Sequence, residues 1–189
     1  MKIGLYFGSF NPVHNGHLII ASHVASNTDL NQVWLVISPQ NPFKKSQSLL
    51  NEHHRKHLVD LAIEGEKKIK SSSIEFKLPI PSFTIDTLTY LKEKYPQHTF
   101  CIVLGSDSYN NIVKWKNGNQ ILSHYNIFIY LRPGFTITKD DNPRLTILDS
   151  PLLDISSSYV RKLISEKKSI RYLVPDVVKQ EIEANQYYY

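Results

Sequence analysis

The sequence predicts an α/β fold, built on a doubly wound and mostly parallel sheet with helices on both faces and a small C-terminal helical part at about residues 151–189. Three observations carry the prediction. Apolar runs of strand length recur up to residue 148, several of them too continuous for half-exposed strands. Stretches with helical spacing alternate with these runs, and beyond Pro151 the pattern changes to helices alone. Parallel strands need long crossovers, and helical crossovers cover the sheet that they connect.

Strands are expected at residues 3–7, 33–37, 74–78, 99–104, 127–131 and 145–148, with helices at 16–26, 51–69, 83–94 and around 115–122. Two further helices are expected at 156–166 and 175–183. Ser156 or Ser157 can cap the first, and Pro175 suits the first turn of the second. Residues 67–73 read as a polar connection and 187–189 as a terminal tail. With no internal repeat or linker, the 189 residues fit one Rossmann-like domain, 1–189, long enough to bury a three-layer core without metals or disulfides.

Composition narrows the classes. The single cysteine, Cys101, lies in an apolar run, which favours a buried strand position over a nucleophile and fits a reducing, cytoplasmic setting. Polar residues from Asn11 onward interrupt the N-terminal apolar run, and no run approaches the ~20 residues of a membrane span, so neither export nor membrane insertion is expected. Lys and Arg total 22 against 17 acidic residues, a net charge of +5. That balance suits an anionic partner and equally an ordinary soluble surface. The basic residues are dispersed and no aromatic-basic ribonucleoprotein motif occurs, so no nucleic-acid partner is expected. Oligomeric state, a homo-oligomer included, is left open.

The most informative stretch is Gly8-Ser9-Phe10-Asn11-Pro12-Val13-His14-Asn15-Gly16-His17, between the first strand and the first helix. In a doubly wound sheet, ligands collect beyond the carboxyl ends of strands, where a helix start aims backbone N–H groups and a positive dipole end at an anion. Gly8 and Gly16 let the backbone approach a phosphate. His14 and His17, one helical turn apart, can both donate to phosphate oxygens. Zinc ligation by the pair lacks a third ligand cluster nearby, a Walker loop lacks its Gly-Lys-Ser/Thr, and the dinucleotide Gly-x-Gly-x-x-Gly spacing is missing. No protein-held metal is expected.

Near the other end, Asp154-Ile155-Ser156-Ser157-Ser158-Tyr159-Val160-Arg161 sets three hydroxyls at a helix start with an arginine one turn in, a second phosphate site or simply a capped surface helix. Between them, Lys44 follows the second strand in a basic loop. Thr84 lies where it can cap a helix or face a ligand. Asp107 follows a strand end at Gly105, and Trp115 can stack on an aromatic ligand or fill part of the core.

These segments resemble known signatures. The first resembles the Gly-x-Phe-x-Pro-x-His-x-Gly-His motif of the nucleotidyltransferase superfamily, matched at Gly8, Phe10, Pro12, His14, Gly16 and His17. The second resembles its Ile-Ser-Ser-Thr-x-x-Arg motif, with Ser158 replacing threonine. Between them, residues 38–45 resemble a Pro-x-x-Pro-His-Lys loop with Phe43 in the histidine position, and 81–88 a Ser-Tyr-Thr-x-x-Thr-Leu segment with Phe83 for tyrosine. Gly-x-Asp at Gly105 and Asp107, Trp115-Lys116 and Arg132-Pro133-Gly134 complete the set typical of bacterial nicotinate-nucleotide adenylyltransferases. The resemblance implies adenylyl transfer from ATP to nicotinate mononucleotide, with Mg²⁺ carried by the ATP phosphates. It implies that His14, His17, Lys44 and Arg161 serve catalysis. It implies ATP contacts at Gly8, Ser9, Phe10, His14, Gly16, His17, Gly105, Asp107, Ile155, Ser156, Ser158 and Arg161, and acceptor contacts at Lys44, Thr84, Asp107, Trp115, Lys116 and Arg132.

Overall fold

In the computed structural model, which describes residues 1–40, 49–137 and 141–189, the described residues form one six-stranded sheet with every pairing parallel. Its strands are β1 (Lys2–Gly8), β2 (Gln32–Ile37), β3 (Ile69–Ser72), β4 (Thr99–Gly105), β5 (Ile127–Tyr130) and β6 (Leu145–Leu148), in the order β3-β2-β1-β4-β5-β6. The order reverses between β1 and β4, and the crevice beyond their carboxyl ends is where ligands of doubly wound sheets bind.

Alternate strand residues feed two hydrophobic layers. Tyr6, Val33, Leu35, Ile37, Cys101, Val103 and Tyr130 face one of them, with α1 (Asn15–Asn27), α2 (Glu52–Ala62), α6 (Ser157–Ser165) and α7 (Asp176–Ala184). Ile3, Leu5, Val36, Ile102, Leu104 and Ile129 face the other, with α3 (Thr84–Lys94) and α5 (Gly118–His124). A short helix, α4 (Ser106–Tyr109), follows β4 directly. Full burial of a single Leu or Ile contributes about 2 kcal/mol, so these layers dominate the stability. Gly4 is fixed by its neighbours, because a Cβ there would come within 2.6 Å of Leu30 Cδ1.

Four details differ from the sequence expectation. Residues 74–78 are not a strand: β3 lies earlier, pairing Val33 with Ile69, and Ile74–Lys77 forms a 3₁₀ turn that buries Ile74 and Glu75. The polar run Lys70-Ser71-Ser72 is tolerated because β3 is an edge strand. The helix expected over 51–69 ends at Ala62, and the chain then turns through Gly65 at φ 81°. The helix expected from 115 starts at Gly118, since Trp115 is extended and Asn117 is left-handed at φ 53°. Residues 187–189 are not a loose tail, as Tyr187 and Tyr188 pack against the core.

Candidate active site

β1 ends at Gly8, whose carbonyl accepts from Ser38 N at 2.9 Å, and the chain then leaves the sheet. Phe10 follows in the left-handed region at φ 45°, a conformation that a bulky residue keeps only when its surroundings over-determine it. Those surroundings are visible: the ring is 1% exposed, fills the space where a Gly8 Cβ would stand, and meets Tyr6 and His17 edge-on with centroids at 5.9 and 4.9 Å. Phe10 is therefore a buried wedge that props His17 from below.

His14 is the N-cap residue of α1, and its ring stacks on that of His17 with centroids 3.6 Å apart. The His14 main-chain N–H donates to His17 Nδ1 at 3.3 Å, so a neutral His17 carries its proton on Nε2, the donor form toward an anion. His14 is 4% exposed, and its buried Nδ1 has no hydrogen-bond partner among the described residues. Burial, and then the positive Arg132, lower its pKa from 6.5 to about 4, so the imidazole is neutral at pH 7. A Cβ at Gly16 would touch the His14 ring at 3.0 Å, which makes glycine the residue that lets the two rings sit together.

The second predicted segment arrives at the same loop. Ser156 caps α6 by accepting from Tyr159 N at 3.2 Å, and Ser157 Oγ donates to the Pro12 carbonyl at 2.9 Å. Arg161 donates through Nη1 to the Asn11 carbonyl at 2.7 Å and through Nη2 to Ser158 Oγ at 3.4 Å. Ile155 reaches within 3.5 Å of a Cβ position on Gly16. The N-termini of α1 and α6 are thus fastened side by side, with His14, His17, Ser158 and Arg161 around them.

Beside β4, Ser106 is fully buried and accepts from Arg132 N at 3.0 Å, fixing the turn that carries Arg132. Tyr130, Arg132 and Asp107 crowd the Gly105 Cα on the layer that holds Tyr6, and the Tyr6 and Tyr130 hydroxyls hydrogen-bond at 3.1 Å. Asp107 Oδ1 is buried and has no hydrogen-bond partner among the described residues. On the opposite layer a cavity of about 100 Å³ is bounded by Gly8, Glu75, Phe83, Thr84, Trp115 and Lys116. Gly8 thus borders both halves. Lys116 Nζ pairs with Asp86 at 2.9 and 2.8 Å and lies 5.1 Å from the Phe83 ring centroid. Thr84, Trp115 and Lys116 come together there, whereas Arg132 lies across Gly105 with His14. Ser9 contributes its carbonyl, and Lys44, like Phe43, lies outside the described residues.

Two buried charges had no sequence signal of their own. Arg55, fully buried, donates to Leu50 O at 2.7 Å, Ser9 O at 2.6 Å, Ser38 O at 2.8 Å and Pro39 O at 2.9 Å, tying the loops after β1 and β2 together. Glu75, 2% exposed, accepts from Ser82 Oγ at 2.6 Å and Thr87 Oγ1 at 2.8 Å and so anchors the start of α3 against the cavity.

Comparison with known proteins follows the geometry. A model of the cytidylyltransferase-like family matches residues 5–163. Two relatives named probable nicotinate-nucleotide adenylyltransferases are similar over nearly the whole length. That of Cytophaga hutchinsonii is 51% identical, covering 100% of this chain and 98% of its own, and that of Flavobacterium psychrophilum is 46% identical, covering 100% and 99%. The solved Plasmodium falciparum nicotinic acid mononucleotide adenylyltransferase complexed with NaAD superposes with a TM-score of 0.85 at 25% identity, covering 99% of this chain and 97% of that one. The same protein complexed with APC gives 0.84 at 25% identity, covering 99% and 96%. The chain therefore belongs to the nicotinate-nucleotide adenylyltransferase family, a nucleotidyltransferase branch of the cytidylyltransferase-like proteins.

Proposed function

We propose that this enzyme transfers the adenylyl group of ATP to nicotinate mononucleotide, giving deamido-NAD and pyrophosphate. The observation that carries the reading is the convergence of two helix N-termini, with His14, His17 and Arg161, on one loop whose Gly8 also borders an aromatic-walled cavity. The loop takes the triphosphate, and the cavity between Phe83 and Trp115 takes the pyridine ring. Thr84 and the start of α3 face the pyridine carboxylate, and Asp107 Oδ1 accepts from a ribose hydroxyl.

The phosphate of the acceptor is anionic at neutral pH, with a second pKa near ~6, so attack on the α-phosphorus needs no side-chain base. The acceptor oxygen forms the new P–O bond as the bond to the β-phosphate oxygen breaks, and pyrophosphate leaves with the electron pair. What this chain supplies is alignment and charge. To the negative charge that grows on the leaving group we assign the backbone N–H groups of α1 and α6, the His17 Nε2–H and the Arg161 guanidinium, which meet around one loop. Mg²⁺ carried by the ATP phosphates would neutralise part of the charge on the leaving group beside these donors. Lys44, between β2 and α2 in the sequence and outside the described residues, is the further positive charge assigned to this reaction. The enzyme works in the cytoplasm, where ATP is available.

Pyrophosphate release measured with nicotinate mononucleotide, nicotinamide mononucleotide and phosphopantetheine tests the reading. The first should give kcat/KM higher by about tenfold or more, since a buried site built for one polar group rejects an analogue lacking it. Faster turnover of phosphopantetheine, or none with either pyridine nucleotide, would displace it.

A further inference from the structure

The segment after α7 reaches back to the loop that follows β1. Tyr188 donates its hydroxyl to Asn11 Oδ1 at 2.8 Å, across 177 residues of sequence. The same oxygen accepts from Leu50 N at 3.1 Å, and the main-chain carbonyl of Asn11 receives Arg161 at 2.7 Å. Asn11 is 4% exposed, and these partners are among those that set its side chain. One residue of the phosphate loop thus gathers the start of α2, the arginine of α6 and the segment beyond α7.

The backbone shows that this docking is specific. Gln186 and Tyr188 sit at φ 53° and 69°, in the left-handed region that residues with side chains keep only when contacts hold them there. The contacts are present: Tyr187 meets His54 of α2 through its hydroxyl and edge-on with ring centroids 5.2 Å apart, and Tyr188 packs on the core layer beneath the loop. The Tyr188 hydroxyl meets the side-chain oxygen of Asn11 while the Arg161 guanidinium meets its main-chain carbonyl.

We infer that Tyr188 is a positioning residue for ATP: its hydroxyl locks the Asn11 side chain, and the locked Asn11 carbonyl holds Arg161 toward the triphosphate. This rests on the reading of the loop as the ATP site. Loss of the hydroxyl removes one of the donors to Asn11 Oδ1, loosens the carbonyl that orients Arg161, and lowers affinity for ATP. The acceptor cavity lies on the opposite layer of the sheet and is untouched.

The test is calorimetric titration of the full chain with MgATP, for wild type, Tyr188→Phe and the exposed-site control Tyr189→Phe, beside steady-state kinetics and thermal melts. Removing one hydrogen bond should raise the ATP Kd of Tyr188→Phe about fivefold. KM for nicotinate mononucleotide should stay within about twofold and Tm within about 2 °C, with Tyr189→Phe matching wild type. An unchanged ATP Kd overturns the inference, as does an equal loss for both substrates accompanied by a fall in Tm. Wild type that binds ATP yet fails to turn over nicotinate mononucleotide sinks the proposed acceptor while the titration still decides on Tyr188; wild type that does not bind ATP sinks both.

Discussion

Arg161 Nη1 lies 2.7 Å from the carbonyl oxygen of Asn11, joining residues 150 positions apart. A guanidinium reaches that carbonyl and Ser158 Oγ together because its donors are spread over a rigid fork. Lysine carries the charge without the fork. Arg161→Lys is expected to lower kcat/KM for ATP by at least about tenfold with the fold intact, as read by initial rates and a melt. Wild-type kinetics in this variant would remove Arg161 from the site.

His17 stacks on His14 and is propped by Phe10. Removal of one preorganised donor to a leaving group typically costs about a hundredfold in turnover. His17→Ala should show that loss in kcat while its melting curve stays close to wild type. A folded variant with undiminished kcat takes the residue out of the mechanism.

His14 makes stability depend on pH. Its folded-state pKa is lowered from 6.5 to about 4, by burial first and Arg132 second. Between those values the unfolded chain takes up a proton that the folded chain refuses. Stability is therefore full above pH 6.5 and falls on acidification toward pH 4, by on the order of 3 kcal/mol in all. Urea midpoints at pH 7 and pH 5 should separate strongly in wild type and less in His14→Asn. Equal separations would assign the acid sensitivity to other groups.

Trp115 is half-buried at the cavity wall with Phe83 and Thr84. Trp115→Ala is expected to raise KM for nicotinate mononucleotide about tenfold, the scale of a lost aromatic stack and its buried area, and to leave KM for ATP within about twofold. Unchanged acceptor KM would make Trp115 a core residue only.

Arg55 satisfies four main-chain carbonyls with one side chain. Arg55→Leu keeps the bulk and abandons those acceptors, which should cost about 3 kcal/mol or more in urea unfolding. A loss of under about 1 kcal/mol would show that water readily replaces the guanidinium.

Much of the architecture was legible because the central parallel strands are buried on both faces and read as continuous apolar runs: Ile3-Gly4-Leu5-Tyr6-Phe7 and Phe100 to Leu104 admit no other role. β3 escaped because Ile-Lys-Ser-Ser at a sheet edge has no such signature, and the apolar residues just after it, Ile74 and Phe76, drew the strand prediction to a 3₁₀ turn. The motif of residues 8–17 was legible because its residues are contiguous in sequence, and the structure places α6 against it with Arg161 on Asn11. Arg55, Glu75 and Tyr188 were not legible. Their partners are main-chain carbonyls, hydroxyls and one amide supplied by remote segments, and in sequence a charged residue on a polar helix is indistinguishable from a solvated one. Ser157 was hidden differently, as one of three adjacent serines of which only the fold shows that it reaches Pro12.

The sheet order carries a consequence for biosynthesis. Among the described strands β1 is made before the others, yet in the finished sheet it is wedged between β2 and β4, and residues from 157 onward help to fasten the loop that follows it. A nascent polypeptide displaying only the glycine and histidine motif holds neither the floor nor the clasp of its own pocket. Competence therefore arrives late during translation, and a product terminated before residue 161 would lack the clasp however faithfully its amino-terminal half had folded.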